Sequence, residues 1–184
     1  MATPIAVPVL VAADVRLRPF RRDDADWVYY VSLDPELRRW LSLPDPYSRS
    51  HARFFIDRIA LTTARDGRGA DFAVEDRKTE IGLGWVGLHR SSGDEISCGF
   101  WLAADARRQG LMTQALRAAC RWALTPVPDG LGASAVYWEA HVGNHASLTV
   151  VKRVGFTVVA GTVPGRNGPK WAGRLRTDDL RTAH

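Results

Sequence analysis

The chain has 184 residues, of which 46% are hydrophobic and 24% charged, and its formal net charge at pH 7 is +5. This length suits one domain with a sizeable core, and the composition is ordinary for a soluble globular protein. No apolar run reaches the roughly 18 residues of a membrane span, and the proline-interrupted N-terminus lacks the basic start of a secretory signal. We therefore expect no membrane partner.

The basic balance suits an anionic ligand, a class that includes nucleic acid. The sequence carries no RNA-recognition, zinc-finger or KH signature, so we expect no nucleic-acid partner. The two cysteines, Cys98 and Cys120, stand in apolar stretches and are predicted to be buried free thiols in a reducing cytoplasm. No cysteine or histidine spacing indicates a metal site.

The predicted elements follow one another without a linker or an internal repeat. Residues 1–13 form a flexible lead-in, and the predicted domain covers residues 14–184. Alternation, helical periodicity and capping residues then predict, in order, a strand at 15–20, a helix from Asp23 or Asp24 to about Tyr30, helices at 35–41 and from Ser48 or Ser50 to about 64, strands at 70–75, 81–89 and 95–102, a helix at 110–124, a strand at 135–142, a helix at 144–154, and strands at 156–160 and 170–176.

This order of strands and helices predicts an α+β, or mixed α/β, fold. The three strands between residues 70 and 102 are joined by short turn-rich segments, which favours an antiparallel meander. The strand at 95–102 and the strand at 135–142 enclose a helix, so we expect them to be parallel and their connection to be right-handed.

The stretch from Cys98 to Leu124 joins a strand, a polar loop and an amphipathic helix that starts at Gly110. A helix N-terminus presents unpaired backbone N–H groups and partial positive charge, and a glycine lets the backbone approach a ligand closely. The stretch is thus either a phosphate cradle or a plain strand–turn–helix whose glycine eases the turn.

Two segments of the chain resemble motifs of one protein family. The first is Arg107-Arg108-Gln109-Gly110-Leu111-Met112-Thr113, and the second is Val142-Gly143-Asn144-His145-Ala146-Ser147 continuing to Arg153-Val154-Gly155-Phe156, about 35 residues later. Together they resemble the acyl-CoA-binding and helix motifs of the GNAT acetyltransferase superfamily. The Asn-x-x-Ser helix and the opening stretch VRLRPF are similar to the branch that contains RimJ and RimL, and the resemblance runs from about Val15 to Arg176.

The resemblance implies a central mixed, mostly antiparallel sheet that splays at an acyl-CoA cleft and is flanked by helices. The pantetheine arm of coenzyme A would bond to the backbone at Phe100, Trp101 and Leu102, and would contact Asn144. The pyrophosphate would rest on backbone N–H groups of Arg107, Arg108, Gln109, Gly110, Leu111 and Met112, and the hydroxyl of Thr113 could reach a phosphate oxygen.

Each of these implied roles has a structural alternative. Arg107 and Arg108 could add charge at the adenosine end or could be solvated loop arginines. Thr113 could bond to its own helix, and Asn144 could be a plain N-cap. Met112 stands where the family has a small residue, which leaves the fit of the cradle open.

The implied activity is transfer of an acetyl or longer acyl group from acetyl-CoA to the primary amine of a protein N-terminus or a small molecule, by direct attack in a ternary complex. Ser147 would donate a proton or hydrogen bond to the departing sulfur, or would only pack against the sheet. Glu139 and His141 share one face of their strand and are the candidate general bases. His89 and Glu95 are further candidates, and a mechanism without a dedicated base remains open.

Two other functions fit the same sequence. One is a non-catalytic acyl-CoA-binding or regulatory domain that kept the cradle. The other is a basic nucleic-acid-binding module, whose binding would weaken steeply with salt. The acceptor is a small-molecule or peptide amine, and the sequence leaves monomer and homodimer open.

Overall fold

The computed structural model describes residues 3–91, 93–165 and 167–182. In this part of the chain, eight strands form one sheet in the order β1-β2-β3-β4-β5-β6-β8-β7. The strands are β1 (Leu10–Val11), β2 (Val15–Pro19), β3 (Gly69–Asp76), β4 (Gly82–Arg90), β5 (Glu95–Leu102), β6 (Ala135–His141), β7 (Thr157–Val158) and β8 (Lys170–Leu175). The α-helices are α1 (Ala25–Val31), α2 (Pro35–Trp40), α3 (Arg49–Phe55), α4 (Leu61–Arg65), α5 (Leu111–Leu124), α6 (His145–Val154) and α7 (Thr177–Thr182).

The sheet is mixed and mostly antiparallel. Strands β1 to β5 pair antiparallel in chain order, β5 and β6 pair parallel across the α5 crossover, and β6, β8 and β7 pair antiparallel again. The predicted α+β fold class, the meander of β3, β4 and β5, and the parallel crossover are confirmed.

The two faces of the sheet carry separate apolar clusters. We call them the α5 face and the α3 face. On the α5 face, Leu116 and Cys120 pack with Val86 and Trp138 in the larger cluster. On the α3 face, the cluster contains Ala52, Ile56, Ala60, Ala73 and Trp101, with Trp85 packed against it. Because side chains alternate along a strand, the central strands β3, β4 and β5 contribute to both clusters.

The helix predicted from Ser48 or Ser50 to residue 64 is interrupted. A π-helical turn, Ile56–Ala60, separates α3 from α4. Ala52, Ile56, Ala60 and Thr63 are all buried, so the wider turn keeps one side of the segment against the sheet. This adjustment is set by packing, and the amphipathic pattern alone does not show it.

The ends of the chain also depart from prediction. Leu10–Val11 lies within the predicted lead-in but pairs with β2, and the N–H of Ile5 donates to the carbonyl of Ala64 at 2.8 Å. Ile5, Val7, Leu10 and Ala12 of this segment pack against the core. Strand β7 is shorter than predicted, and α7 was not predicted at all.

Candidate functional site

The sheet opens between β5 and β6. The parallel pairing runs from Glu95 opposite Ala135 to Cys98 opposite Trp138 and stops there. Beyond that point β5 continues to Leu102 paired only with β4, and β6 continues to His141 paired only with β8. The result is a wedge-shaped gap with its apex at the Cys98–Trp138 pair, and the splayed sheet implied by the sequence resemblance is confirmed.

Backbone groups of β5 line one wall of the gap. Residues in a central strand turn their peptide groups alternately to one neighbour and the other. The N–H of Ala103 donates to Leu83 at 2.7 Å, which assigns the odd-numbered residues of β5 to the β4 side. Phe100 and Leu102 therefore face the gap, whereas the peptide groups of Trp101 pair with β4. Of the three residues expected to bond the pantetheine arm, Trp101 is the exception.

The facing wall is the end of β6. The N–H of Val142 donates to Pro169 at 3.4 Å, which assigns the even-numbered residues of β6 to β8. Glu139 and His141 therefore direct their peptide groups into the gap, and the carbonyl of His141 accepts a hydrogen bond from the N–H of Asn144 at 3.1 Å. An extended chain could add strand-like hydrogen bonds between the two walls.

A row of free N–H groups lies at the mouth of the gap. Within the described residues, the backbone N–H groups from Arg108 to Thr113 have no hydrogen-bond acceptor, whereas the N–H of Arg107 donates to Ala104 at 3.2 Å. The predicted cradle thus begins one residue later than expected. Arg108 (φ 64°) and Gly110 (φ 77°) are both left-handed, an arrangement that gathers successive N–H groups into an anion-binding concavity. No heavy atom lies within 4 Å of an ideal Cβ on Gly110, so the concavity is open.

Two side chains of the loop before α5 are hydrogen-bonded within the protein, and one is not. The guanidinium of Arg107 is ion-paired with Asp34 and donates to the carbonyl of Leu102 at 3.1 Å. The amide of Gln109 donates to Asp105 at 2.9 Å. The exposed guanidinium of Arg108 has no acidic partner in the described part of the chain. Arg108 is therefore the loop arginine whose charge is free to meet an anion.

The first turn of α5 points its large side chains away from the cradle. Leu111 and Met112 are buried in the cluster on the α5 face, so neither covers the free N–H groups. At position 112, where the family has a small residue, the methionine packs into the core. The hydroxyl of Thr113 makes no hydrogen bond within the described residues, so it is not engaged by its own helix.

The start of α6 stands beside the apex of the gap. Asn144 caps the helix, since its Oδ1 accepts the N–H of Ser147 at 3.1 Å. The Oγ of Ser147 accepts a hydrogen bond from Nε1 of Trp138 at 3.0 Å. Indole N–H is only a donor, so the hydroxyl proton of Ser147 remains free to be donated. Because Trp138 forms the last pair before the gap, this proton lies at the apex.

Glu139 and His141 project from β6 on the α3 face, as their spacing predicted, but their surroundings differ. The carboxylate of Glu139 is ion-paired with Lys170 and lies 3.4 Å from the hydroxyl of Tyr137. Burial and, after it, this carboxylate raise the pKa of Tyr137. The half-buried imidazole of His141 makes no hydrogen bond in the described part of the chain.

The two further candidates lie on the same face and are both partnered. Glu95 accepts a hydrogen bond from Nε of Arg174 at 2.9 Å. The imidazole of His89 lies 3.0 Å from the carboxylate of Asp71, which also accepts Nε1 of Trp85 at 2.8 Å. Sequence reasoning missed Asp71. It looks like an ordinary strand residue, and only the register of β3 against β4 brings it to His89.

The two cysteines are not part of the candidate site. Cys98 and Cys120 are buried and free, as predicted, and burial raises the pKa of the Cys120 thiol. Among the described residues, no three His, Cys, Asp or Glu side chains are placed to hold a metal ion. None of the helices in that part is long and apolar enough to cross a membrane.

Solved structures show the same architecture. A Vibrio cholerae protein assigned as a ribosomal-protein-serine acetyltransferase superimposes with a TM-score of 0.80 at 20% identity, covering 95% of this chain and 99% of its own. RimL, a ribosomal L7/L12 alpha-N-protein acetyltransferase solved with coenzyme A, gives 0.76 at 17% identity, covering 94% and 99%. RimJ of Mycobacterium smegmatis, solved with CoA-disulfide, gives 0.74 at 21% identity, covering 96% and 90%. At these identities the likeness is one of fold.

The sequence comparisons give a narrower assignment. No curated protein matches the chain in sequence. Residues 14–157 match the family described as the acetyltransferase (GNAT) domain, and this match spans well over half of the 184 residues. Together with the splayed sheet and the cradle at the start of α5, it shows that the chain belongs to the GNAT acetyltransferase family.

Proposed function

We propose that this protein transfers an acetyl group from acetyl-CoA to a primary amine, either the α-amine of a protein N-terminus or that of a small molecule. The observation that carries the proposal is the alignment of three features along one gap. Free N–H groups lie at its mouth, unpaired strand peptides line its walls, and the Ser147 hydroxyl lies at its apex. The family match and the coenzyme A found in the RimL structure support the donor.

The residues present fit coenzyme A. Six consecutive free N–H groups, from Arg108 to Thr113, offer a multidentate seat for a pyrophosphate at a helix N-terminus. The peptide groups of Phe100 and Leu102 would hold the pantetheine arm, and the guanidinium of Arg108 and the hydroxyl of Thr113 would add contacts to phosphate. Bound acetyl-CoA supplies an activated acyl group on a thiol leaving group.

In the proposed reaction, the thioester and the amine are held in contact at the apex of the gap, and Ser147 donates a proton. Much of the rate of such a transfer can come from fixing thioester and amine in attack geometry. The Trp138 hydrogen bond holds the Ser147 oxygen in place with its proton free, so Ser147 would protonate the departing sulfur. Asn144 would position Ser147 by capping α6.

The acceptor amine would approach from the α3 face, where Glu139 and His141 lie. Of these two, only the imidazole of His141 is unpaired in the described part of the chain, because the Glu139 carboxylate is ion-paired with Lys170. The protein-N-terminus option is supported by the names of the structural neighbours, one of which is an alpha-N-protein acetyltransferase. The small-molecule option fits the same site.

The alternative is a non-catalytic acyl-CoA-binding domain, and one paired experiment separates the two. Acetyl-CoA binding is measured by isothermal titration calorimetry, and free-thiol release is followed over a panel of amines. The panel contains hexapeptides with a free N-terminal serine, alanine or methionine, free amino acids, and polyamines. Binding accompanied by thiol release above the hydrolysis background supports transfer. Binding without release for any amine supports the alternative, and absence of binding rejects both.

A further inference from the structure

A buried carboxylate and a half-exposed histidine form a pair on the α3 face. Asp71 of β3 is 2% exposed, and its Oδ1 accepts Nε1 of Trp85 at 2.8 Å and faces Nε2 of His89 at 3.0 Å. The other carboxylate oxygen, Oδ2, is buried and has no hydrogen-bond partner in the described part of the chain. The side chain of His89 remains 38% exposed.

These contacts fix which nitrogen of His89 is free. An ionised carboxylate only accepts hydrogen bonds, so Nε2 carries the proton that it shares with Asp71. Nδ1 then presents a lone pair, and it has no partner among the described residues. A carboxylate that orients an imidazole in this way also stabilises the cation formed when the imidazole gains a proton.

The carboxylate of Asp71 has a further reason to favour that cation. Its two hydrogen-bond partners are Trp85 and His89, and no Lys or Arg contacts it in the described structure. A buried carboxylate is stabilised by an opposite charge within a few ångströms. Proton uptake on His89 would place such a charge 3.0 Å away.

The pair lies close to the apex of the gap. In the β4–β5 register, His89 is opposite Ser97, which immediately precedes Cys98, the last β5 residue paired with β6. Opposed residues in neighbouring strands lie roughly 5 Å apart. His89 is thus one strand and one residue away from the point where the gap opens.

Two glycines leave room for the indole of Trp85 beside His89. Gly87 and Gly99 are opposite each other, and the indole of Trp85 lies over both. An added Cβ would come within 2.2 Å of Trp85 on Gly87 and within 3.0 Å on Gly99. A side chain at either position would displace the indole that hydrogen-bonds Asp71. The glycines therefore maintain the Trp85–Asp71–His89 arrangement.

Apart from His141 at the end of β6, which is unpaired in the described part of the chain, the other titratable groups near His89 on this face already have partners. Glu95, diagonal to His89 on β5, is bound by Arg174, and Glu139 on β6 is bound by Lys170. The hydroxyl of Tyr137 is directed to Glu139. On β3, the other strand next to β4, the residue opposite His89 is Gly69, which has no side chain.

We propose that His89 accepts the proton of the acceptor amine and that Asp71 is its positioning residue, a step that rests on the proposed transfer reaction. As the C–N bond forms and the C–S bond breaks, the proton on nitrogen passes to Nδ1 of His89, directly or through one water. The sulfur takes its proton from Ser147, which regains one from water as His89 releases its own. Ser147 lies by the α5 face and His89 on the α3 face, so the two proton transfers occur on opposite sides of the sheet.

The variants His89→Gln and Asp71→Asn test this proposal, with His51→Gln as the matched control. His51 caps α3 through Ser48, and glutamine can keep that role.

The assay is thiol release from acetyl-CoA with the N-terminal serine hexapeptide. We expect His89→Gln to lower kcat by about 100-fold or more and to remove one limb of the pH–rate profile, while the Kd of acetyl-CoA and the KM of the peptide stay within about threefold. Asp71→Asn should lower kcat less, and 15N NMR should show the His89 proton moving from Nε2 towards Nδ1.

The outcomes separate this proposal from the proposed function. If acetyl-CoA binds and His89→Gln retains kcat within about threefold of wild type, the role of His89 is wrong although transfer stands. An unchanged tautomer in Asp71→Asn would overturn the role of Asp71. If the wild-type protein does not acetylate the peptide, the same variants are compared in acetyl-CoA hydrolysis, where water replaces the amine. Equal hydrolysis rates would then reject His89, and failure to bind acetyl-CoA would reject the function itself.

Discussion

At the scale of single residues, the proposed chemistry depends on which side-chain protons make no hydrogen bond within the protein. Ser147 receives a hydrogen bond from Trp138, so its oxygen is held and its proton is not used by the protein. The backbone N–H of Ser147 is used by the Asn144 cap. One residue thus links the helix start to the apex of the gap.

Replacing Ser147 by alanine should lower turnover more than coenzyme affinity. The variant removes the proton donor for sulfur but leaves the cradle and the strand peptides intact, so we expect kcat to fall by roughly 10- to 100-fold and the Kd of acetyl-CoA to change by less than about threefold. Thr149→Ala is the control, because Thr149 is an exposed hydroxyl on the same helix that bonds only to the His145 carbonyl. Turnover equal to wild type would leave Ser147 a structural residue.

The sequence predicts the contact between Asn144 and Ser147 but not the contact between Asp71 and His89. The first two are three residues apart on one helix, so local spacing predicts their contact. Asp71 and His89 are 18 residues apart, on strands whose register depends on the turn between them and on a bulge at Val74/Glu75. A shift of one residue would move His89 to the other face.

At the scale of elements, the loop before α5 is the feature that the sequence predicts best. The glycine, the loop and the amphipathic helix are contiguous, so the free N–H groups follow from local structure. What the sequence could not show is the ion pair between Arg107 and Asp34, which are 73 residues apart. This ion pair joins the loop to the start of α2, where Asp34 is the N-cap. The guanidinium of Arg107, which the resemblance offered as a contact for the coenzyme, is therefore already bound to Asp34.

Gly110→Asp should abolish acetyl-CoA binding, because it places a negative charge among the N–H groups that would receive phosphate. The fold should persist, since the space beside Gly110 is open and aspartate tolerates a left-handed φ better than most residues. Calorimetry measures the affinity, and circular dichroism with thermal unfolding checks the fold.

Gly110→Asn is the matched control, because asparagine has nearly the same shape and the same backbone tolerance without the charge. It should weaken binding much less than Gly110→Asp. Equal loss in both variants would mean that bulk rather than charge matters at the cradle. Unchanged affinity in Gly110→Asp would remove the phosphate site from this loop.

At the scale of the whole molecule, a buried charge network ties the helices on the α3 face to the sheet. Arg18 of β2 makes two hydrogen bonds to Asp24, both 2.8 Å long, and one to Glu75 of β3 at 2.6 Å. Asp24 also accepts the N–H of Arg21 and Nε1 of Trp27. The segment leading into α1 covers Arg18, which is only 7% exposed.

This network makes global stability depend on acid pH. Burial acts to raise the pKa of the Asp24 carboxyl, but the hydrogen bonds from Arg18, Trp27 and Arg21 outweigh it and lower that pKa below its ordinary value. A carboxyl with a lowered pKa in the folded state stabilises the fold above its unfolded pKa of about 3.9. The stabilisation is lost as pH falls through the folded-state pKa.

Asp24→Asn should therefore destabilise the protein at neutral pH and matter less in acid. Removing one partner leaves the buried Arg18 guanidinium short of compensation, so we expect the free energy of unfolding at pH 7 to fall by about 3 kcal/mol. Urea unfolding at a series of pH values from 7 to 2 measures the difference in unfolding free energy between wild type and variant, which should shrink below about pH 4.

The control is Asp66→Asn, which removes an exposed carboxylate beside Arg65 and Arg68 and should change neutral-pH stability little. A difference for Asp24→Asn that stays constant down to pH 2 would show that its effect is packing rather than charge, and the network would then hold the two layers together by shape alone.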